Sequence, residues 1–265
     1  MIHLPDLGNT GKLIQSIKAL MIECGRVALL RMQEGINVFY KEDNSPVTNA
    51  DIEISTLIFN NLKSLTPDIP VICEERDLIT PLGDDYFWLV DPIDGTRSYI
   101  RGEDTFTVNI ALIKHNLAVL GFIYQPFTKK LYYTDHNNNL QIEQNGKTVN
   151  IENSLIKDHY SAVVGSRYSD SHTKDFLKSH LITKIVSIPS SIKFCLIAEG
   201  TADVYPGFGT TMEWDVAAGH ALVKAAGGNI VDLHGNELSY RKDGFQNPHF
   251  CAYSKYWCKE MVSKN

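Results

Sequence analysis

"FWLVDPIDGTRSYI" (residues 87–100) runs from four apolar residues into acid, proline, acid, glycine and threonine. The apolar start reads as a buried strand. In a regular strand, residues i and i+3 point to opposite faces, so Asp91 and Asp94 converge only if the strand ends between them. Pro92 cannot donate to a ladder and favours such a break, and Gly95 lets the backbone turn tightly and approach a ligand. Two carboxylates so close repel unless a cation sits between them. Carboxylates at a strand end, followed by Gly-Thr, suit a hard divalent cation whose open positions take phosphate oxygens. The same letters also make a good plain turn, so the stretch alone leaves both readings open.

Working outward, the preceding segment reads as helical. Leu13, Ile17, Leu20, Met21, Cys24, Val27 and Ala28 recur at helical spacing through about Met32. A second helix is expected from Thr48, which has capping-box spacing to Asp51, with Ile54, Leu57, Ile58, Leu62 and Leu65 on one face. From Val71 to Thr134 the pattern is that of strands, with a hairpin expected at "KHN" between residues 106–113 and 117–124. Residues 135–150 read as a polar loop, with one further strand near Leu140. Beyond it, apolar runs and amphipathic stretches alternate, with helices expected near 170–180, 190–199 and 214–226. The fold class is therefore α/β: an α+β N-terminal half (1–140) and an α/β C-terminal half (141–265).

Composition bounds the rest. The 265 residues are 43% hydrophobic and 21% charged, as in globular proteins, with a net charge of −6 and no long basic run. A nucleic-acid duplex is thus a poor partner, and an anionic small molecule needs a local positive field. Five scattered cysteines form no CxxC pair, which argues against a disulfide framework or zinc site and for a reducing cytoplasm. No apolar run approaches the ~20 residues of a membrane span. Peripheral attachment at the cytoplasmic face of a membrane stays open. "GFGTT" (207–211) lacks the lysine and spacing of a P-loop.

Two more acidic places matter. "VICEERD" (71–77) ends an apolar run in Glu74 and Glu75, and "EWDVAAGHALVKAAGG" (213–228) puts Glu213 and Asp215 at a helix start. Singly, each is an ordinary strand end or a partner of the helix dipole. Together with "DPIDGT" (91–96) and "WDVAAG" (214–219), they resemble the inositol monophosphatase superfamily of magnesium-dependent, lithium-sensitive phosphatases. "KEDNSPVTNAD" (41–51), "SSIKFCLIAEG" (190–200) and "YPGFG" (205–209) resemble the branch of 3'(2'),5'-bisphosphate nucleotidases of the CysQ type.

The resemblance spans about Lys12 to Tyr253 and implies a layered αβαβα sandwich, as in inositol monophosphatases and fructose-1,6-bisphosphatases. It implies two or three Mg²⁺ ions held by Glu74, Asp91, Asp94, Asp215 and the carbonyl of Ile93. Asp51 is implied near a further metal or as proton acceptor, and Thr96 with Glu74 as the pair that orients and deprotonates the attacking water. Main-chain N–H groups of Gly95 and Thr96 are implied to hold the scissile phosphate, and Ser190 and Lys193 to contact the nucleotide. The implied substrate-binding set is thus Glu74, Ile93, Asp94, Gly95, Thr96, Ser190, Lys193 and Asp215. The implied reaction removes the 3'-phosphate of adenosine 3',5'-bisphosphate, and of its sulfated form, to give AMP and phosphate by metal-activated water, in sulfur metabolism. The partner is then a small phosphorylated nucleotide, and the chain a monomer or homodimer. An inositol monophosphatase or broad sugar phosphatase is the alternative, and a metal-binding protein without catalysis a more distant one. The chain departs from close relatives at Gly207 (usually arginine), Cys73, Arg97 and Ser98, and at Ser169 with His172 nearby, where relatives place a histidine.

Overall fold

The computed structural model describes residues 10–76, 85–150, 159–165 and 170–257. Helix α1 (Thr10–Glu34) buries one stripe, from Leu13 and Ile17 to Val27 and Ala28. A short hairpin, β1 (Val38–Tyr40) with β2 (Pro46–Thr48), leads into α2 (Asn49–Leu65). There the Thr48–Asp51 capping box closes in both directions, as its spacing predicts.

Seven strands follow: β3 (Val71–Cys73), β4 (Tyr86–Asp94), β5 (Thr107–Lys114), β6 (Leu117–Gln125), β7 (Lys130–Thr134), β8 (Leu140–Gln144) and β9 (Lys147–Thr148), with α3 (Thr96–Ile100) between β4 and β5. They pair in chain order, β3 parallel to β4 and the rest antiparallel. At the expected "KHN" hairpin, His115 and Asn116 both take positive φ (47° and 65°), as a tight two-residue turn requires. The loop expected over 135–150 is instead largely the β8–β9 hairpin. Its signal is present in the sequence: Asn145-Gly146, both at positive φ, is the dipeptide that favours such a turn. The pairing of β8 with β7 carries the first sheet past residue 140, where the two halves of the chain were expected to divide.

The C-terminal half adds β10 (Ser161–Val164), α4 (Ser171–Ser179), β11 (Lys184–Ser187), α5 (Ile192–Glu199), β12 (Val204–Gly207), α6 (Glu213–Ala225), β13 (Asn229–Asp232) and β14 (Phe250–Tyr253). Its sheet has the order β11-β10-β12-β14-β13, parallel around β10 and antiparallel around β14.

Strand alternation assigns the layers. On β4, Trp88 and Val90 pack with α1 and α2, whereas Phe87 and Leu89 pack with α5, α6 and the second sheet. On β10, Val163 joins that central layer, while Ala162 and Val164 face α4 through Phe176 and Leu177. The stack is helix, sheet, helix, sheet, helix: the αβαβα sandwich. All four cysteines among the described residues are free and buried. No helix among them is long and apolar enough to cross a membrane.

Candidate metal centre and active-site cleft

Strand β4 does not end at Pro92. Pairing continues through Asp94, with Asp91 opposite Asn109 and Asp94 opposite Thr107, so three steps on β4 match two on β5. That bulge inserts one residue and returns Asp94 to the face occupied by Asp91. The two acids therefore converge by a bulge rather than by a strand end. Pro92, which has no N–H to give the ladder, lies at the irregularity. Gly95 then takes φ +91°, a left-handed conformation that glycine adopts without strain, and opens α3 at Thr96.

Carboxylate oxygens of Glu74, Asp91 and Asp215 come within 4.8 Å of one another. They arrive from the end of β3, the end of β4 and the first turn of α6. Asp91 is buried, and its Oδ1 has no hydrogen-bond partner among the described residues. Burial first, then the charges of Glu74, Asp94, Asp215 and Asp51, push its carboxyl well above the usual range. Asp215 is pushed the same way by burial, Asp94 and Glu74, although its Oδ2 accepts the Met212 N–H at 2.7 Å. Carboxylate oxygens crowded together, one of them left unpaired at depth, fit a divalent cation, which removes both the repulsion and the orphaned atom.

Asp94 sits beside this trio. Its Oδ2 accepts from the Ser191 hydroxyl at 2.5 Å and from Asn109 Nδ2 at 3.4 Å. Asp51 is buried behind it in the capping box, where its Oδ2 accepts the Thr48 N–H at 2.8 Å, and burial raises its carboxyl to about 6. Thr96 Oγ1 donates to the Ile93 carbonyl at 3.0 Å. Above the acids lies a cleft of about 680 Å³ lined by Glu74, Asp94, Gly95, Thr96, Ser190 and Lys193, among others, with Arg97 and Arg101 at its side. Ser190 holds a left-handed φ of 59°, which only the surrounding structure stabilises in a non-glycine residue. Lys193 is buried, donates to the Ser190 carbonyl and lies 5.2 Å from the Tyr205 ring centroid. Burial lowers its pKa while Asp94 and Asp215 act to raise it.

The structure thus groups Glu74, Asp91 and Asp215, sets Asp94, Gly95, Thr96, Ser190 and Lys193 along the cleft that Glu74 also lines, and keeps Asp51 in the helix cap; it also separates neighbours that sequence could not. Glu213 turns away from the cluster, where its two oxygens accept the main-chain N–H groups of Arg241 and Lys242 at 2.8 Å each. Glu75 pairs with Lys41 at 2.7 Å, and the same ammonium reaches Glu74 at 3.0 Å. Lys41 opens "KEDNSPVTNAD", yet nothing in its spacing marks it as a partner of residues 74 and 75. Asn109 and Ser191 are also absent from the expectations. "SSIKF" points to Ser190 and Lys193, and the intervening serine carries no signal of its own. Among the departures, Cys73 is a core residue 3.3 Å from the Ser55 hydroxyl, Ser98 is buried, and Ser169 lies outside the described residues.

The model of the inositol monophosphatase family matches residues 11–260. The chain belongs to the inositol monophosphatase family. Within this family it is 38% identical over 233 residues to the 3'(2'),5'-bisphosphate nucleotidase CysQ of Buchnera aphidicola, covering 86% of this chain and 88% of that one. It is 43% identical over 217 residues to the protein of the same name from Salmonella typhimurium, covering 79% and 86%. The crystal structure of CysQ from Bacteroides thetaiotaomicron, a bacterial member of the family, superposes with a TM-score of 0.79 at 31% identity, covering 94% of this chain and 99% of that one.

Proposed function

We propose that the protein is a Mg²⁺-dependent 3'(2'),5'-bisphosphate nucleotidase, which removes the 3'-phosphate of adenosine 3',5'-bisphosphate to leave AMP. Two findings support this reading. The acid trio with the orphaned Asp91 oxygen supports metal-assisted phosphate chemistry. Relatives named for this activity, at 38% and 43% identity over most of both chains, support the substrate.

Glu74, Asp91, Asp94, Asp215 and the Ile93 carbonyl are the groups that would hold two or three ions. Bound there, Mg²⁺ supplies the positive charge that a cluster of carboxylates lacks, for activating water and for stabilising the leaving oxygen. The residues do the remainder. Thr96, donating its proton to Ile93, keeps its Oγ1 lone pairs for the attacking water and sets that water's orientation. Glu74, beside it in the cleft, receives the proton, with Asp51 as the acceptor behind. Gly95 and Thr96 present main-chain N–H groups to the phosphate. Ser190 and Lys193 lie where the rest of the nucleotide would enter, and their cation suits its second phosphate.

The test is phosphate release with Mg²⁺ from adenosine 3',5'-bisphosphate and from myo-inositol 1-phosphate, compared as kcat/KM. A strong preference for the nucleotide is expected. A preference for the inositol phosphate would assign the same machinery to a different pocket.

A further inference from the structure

A carboxylate that holds a cation needs one oxygen aimed and the other restrained. Asp94 shows that division. Every hydrogen bond it accepts falls on Oδ2, from Ser191 and Asn109, and its Oδ1 accepts none among the described residues. The two donors come from distant parts of the fold: Asn109 lies in the middle of β5, and Ser191 at the N-terminal boundary of α5.

Their own geometry leaves little freedom. Asn109 is 1% exposed and Ser191 1%. Asn109 Nδ2 donates to Ser191 Oγ at 2.9 Å and to Asp94 Oδ2 at 3.4 Å. A flipped amide would set its oxygen against the carboxylate, which has only lone pairs to offer. Ser191 Oγ has one proton and two acceptors, Asp94 Oδ2 at 2.5 Å and the main-chain carbonyl of Asp215 at 3.0 Å. The charged acceptor at the shorter distance holds it. Ser191 Oγ therefore touches both Asp94 and the backbone of Asp215, the acid delivered from α6. Asn109 is also the ladder partner of Asp91. One serine and one asparagine thus contact the carriers of three acids, two on one strand of the first sheet and one on a helix.

We propose that Ser191 and Asn109 are positioning residues for the metal centre: they pin Oδ2 of Asp94 and thereby present its other oxygen to the cation. The proposal rests on the reading of the acid cluster as a divalent-metal site. The partners that orient a metal-binding carboxylate typically account for about 10–100-fold in metal affinity. A serine that merely fastened α5 to α6 would change stability without that loss.

Binding of Mn²⁺ to the full chain, counted by electron paramagnetic resonance without substrate, distinguishes the two. Ser191→Ala is expected to weaken Mn²⁺ binding by about 10–100-fold, and Ser191→Thr, which keeps the hydroxyl, to restore it to within about threefold. In an Asp94→Asn background, the Ser191→Ala step is expected to shrink to less than about twofold, because the group it orients is gone. Unchanged affinity in Ser191→Ala overturns the proposal, as does the same loss with and without Asp94. Should Ser191→Ala fail to fold, Asn109→Ala, which leaves the serine in place, is read in the same assay, and unchanged affinity there overturns it equally. If the wild-type chain takes up no Mn²⁺, the metal reading itself falls, and this proposal with it. Wild-type uptake with an unaffected variant sinks this proposal alone.

Discussion

Asp91→Asn separates the charge of the site from its shape. The amide is isosteric with the carboxylate, while one negative charge leaves a set whose oxygens lie within 4.8 Å of one another. Two unit charges at that separation repel by about 3.5 kcal/mol at an effective dielectric of ~20. Asp91 has two such neighbours, and without metal the site relieves the strain by holding a proton, as the upward push on the Asp91 and Asp215 carboxyls indicates. Keeping that proton at pH 8 costs no more than about 1.4 kcal/mol per pH unit above an ordinary pKa of ~4, or about 5.5 kcal/mol. The substitution removes most of this cost, so the metal-free variant is expected to be more stable than wild type by about 2–5 kcal/mol. For a chain of this size that raises Tm by about 5–15 °C. Thermal unfolding in EDTA at pH 8, repeated in Mg²⁺, is the assay. Mg²⁺ at about 100 times its Kd adds about 2.7 kcal/mol to the wild type and far less to the variant. Turnover in the variant falls by at least about 10²-fold. A variant no more stable than wild type in EDTA, or one raised equally by Mg²⁺, refutes the reasoning.

Three further outcomes are expected. Thr96→Val keeps the shape but removes the oxygen that would fix the water, and kcat should fall by about 10²-fold or more while Tm hardly moves; an unchanged kcat removes Thr96 from the chemistry. Gly207→Ala places a Cβ 2.3 Å from Cζ of Phe250, a fully buried ring packed edge-on against Tyr205, and should cost about 1–3 kcal/mol in urea unfolding. Adding Phe250→Leu should recover part of that loss, and an additive double mutant refutes the clash. His220 is held neutral by burial, with its pKa lowered to about 4; its Nδ1 lies 2.8 Å from the Tyr240 hydroxyl and its Nε2 3.1 Å from Asn229 Oδ1. The unfolded chain takes up that proton first, so stability present above about pH 6.5 is lost as pH falls towards 4, by up to about 3 kcal/mol. Subtracting the stability–pH curve of His220→Gln should isolate this slope between pH 6.5 and 4, and parallel curves for the two proteins would contradict it.

The same ring gives a physical reason for a glycine at position 207. The β14 partner strand leans the Phe250 ring over a residue with no side chain, so the position is filled from across the sheet. No local pattern at residues 205–209 reports that ring.

By itself, the sequence determined whatever depends on near neighbours along the chain. Apolar stripes at helical spacing set α1 and α2, the Thr48–Asp51 spacing set a capping box, and the apolar run at residues 87–90 marked a buried strand. The acids of the site were legible too, because carboxylates crowded at strand and helix ends are costly enough to need a reason. Tertiary structure alone decided which acids meet. Whether Asp91 and Asp94 share a face depends on a bulge defined by the pairing of β4 with β5. Whether Glu213 or Asp215 enters the cluster depends on how α6 lies against the loop at Arg241 and Lys242. Ser191 finds Asp94 from 97 residues away. Such contacts arise from burial shared among several elements, and hydrogen bonds at depth are made by whichever donor the packing delivers, so neither leaves a periodic trace in the chain.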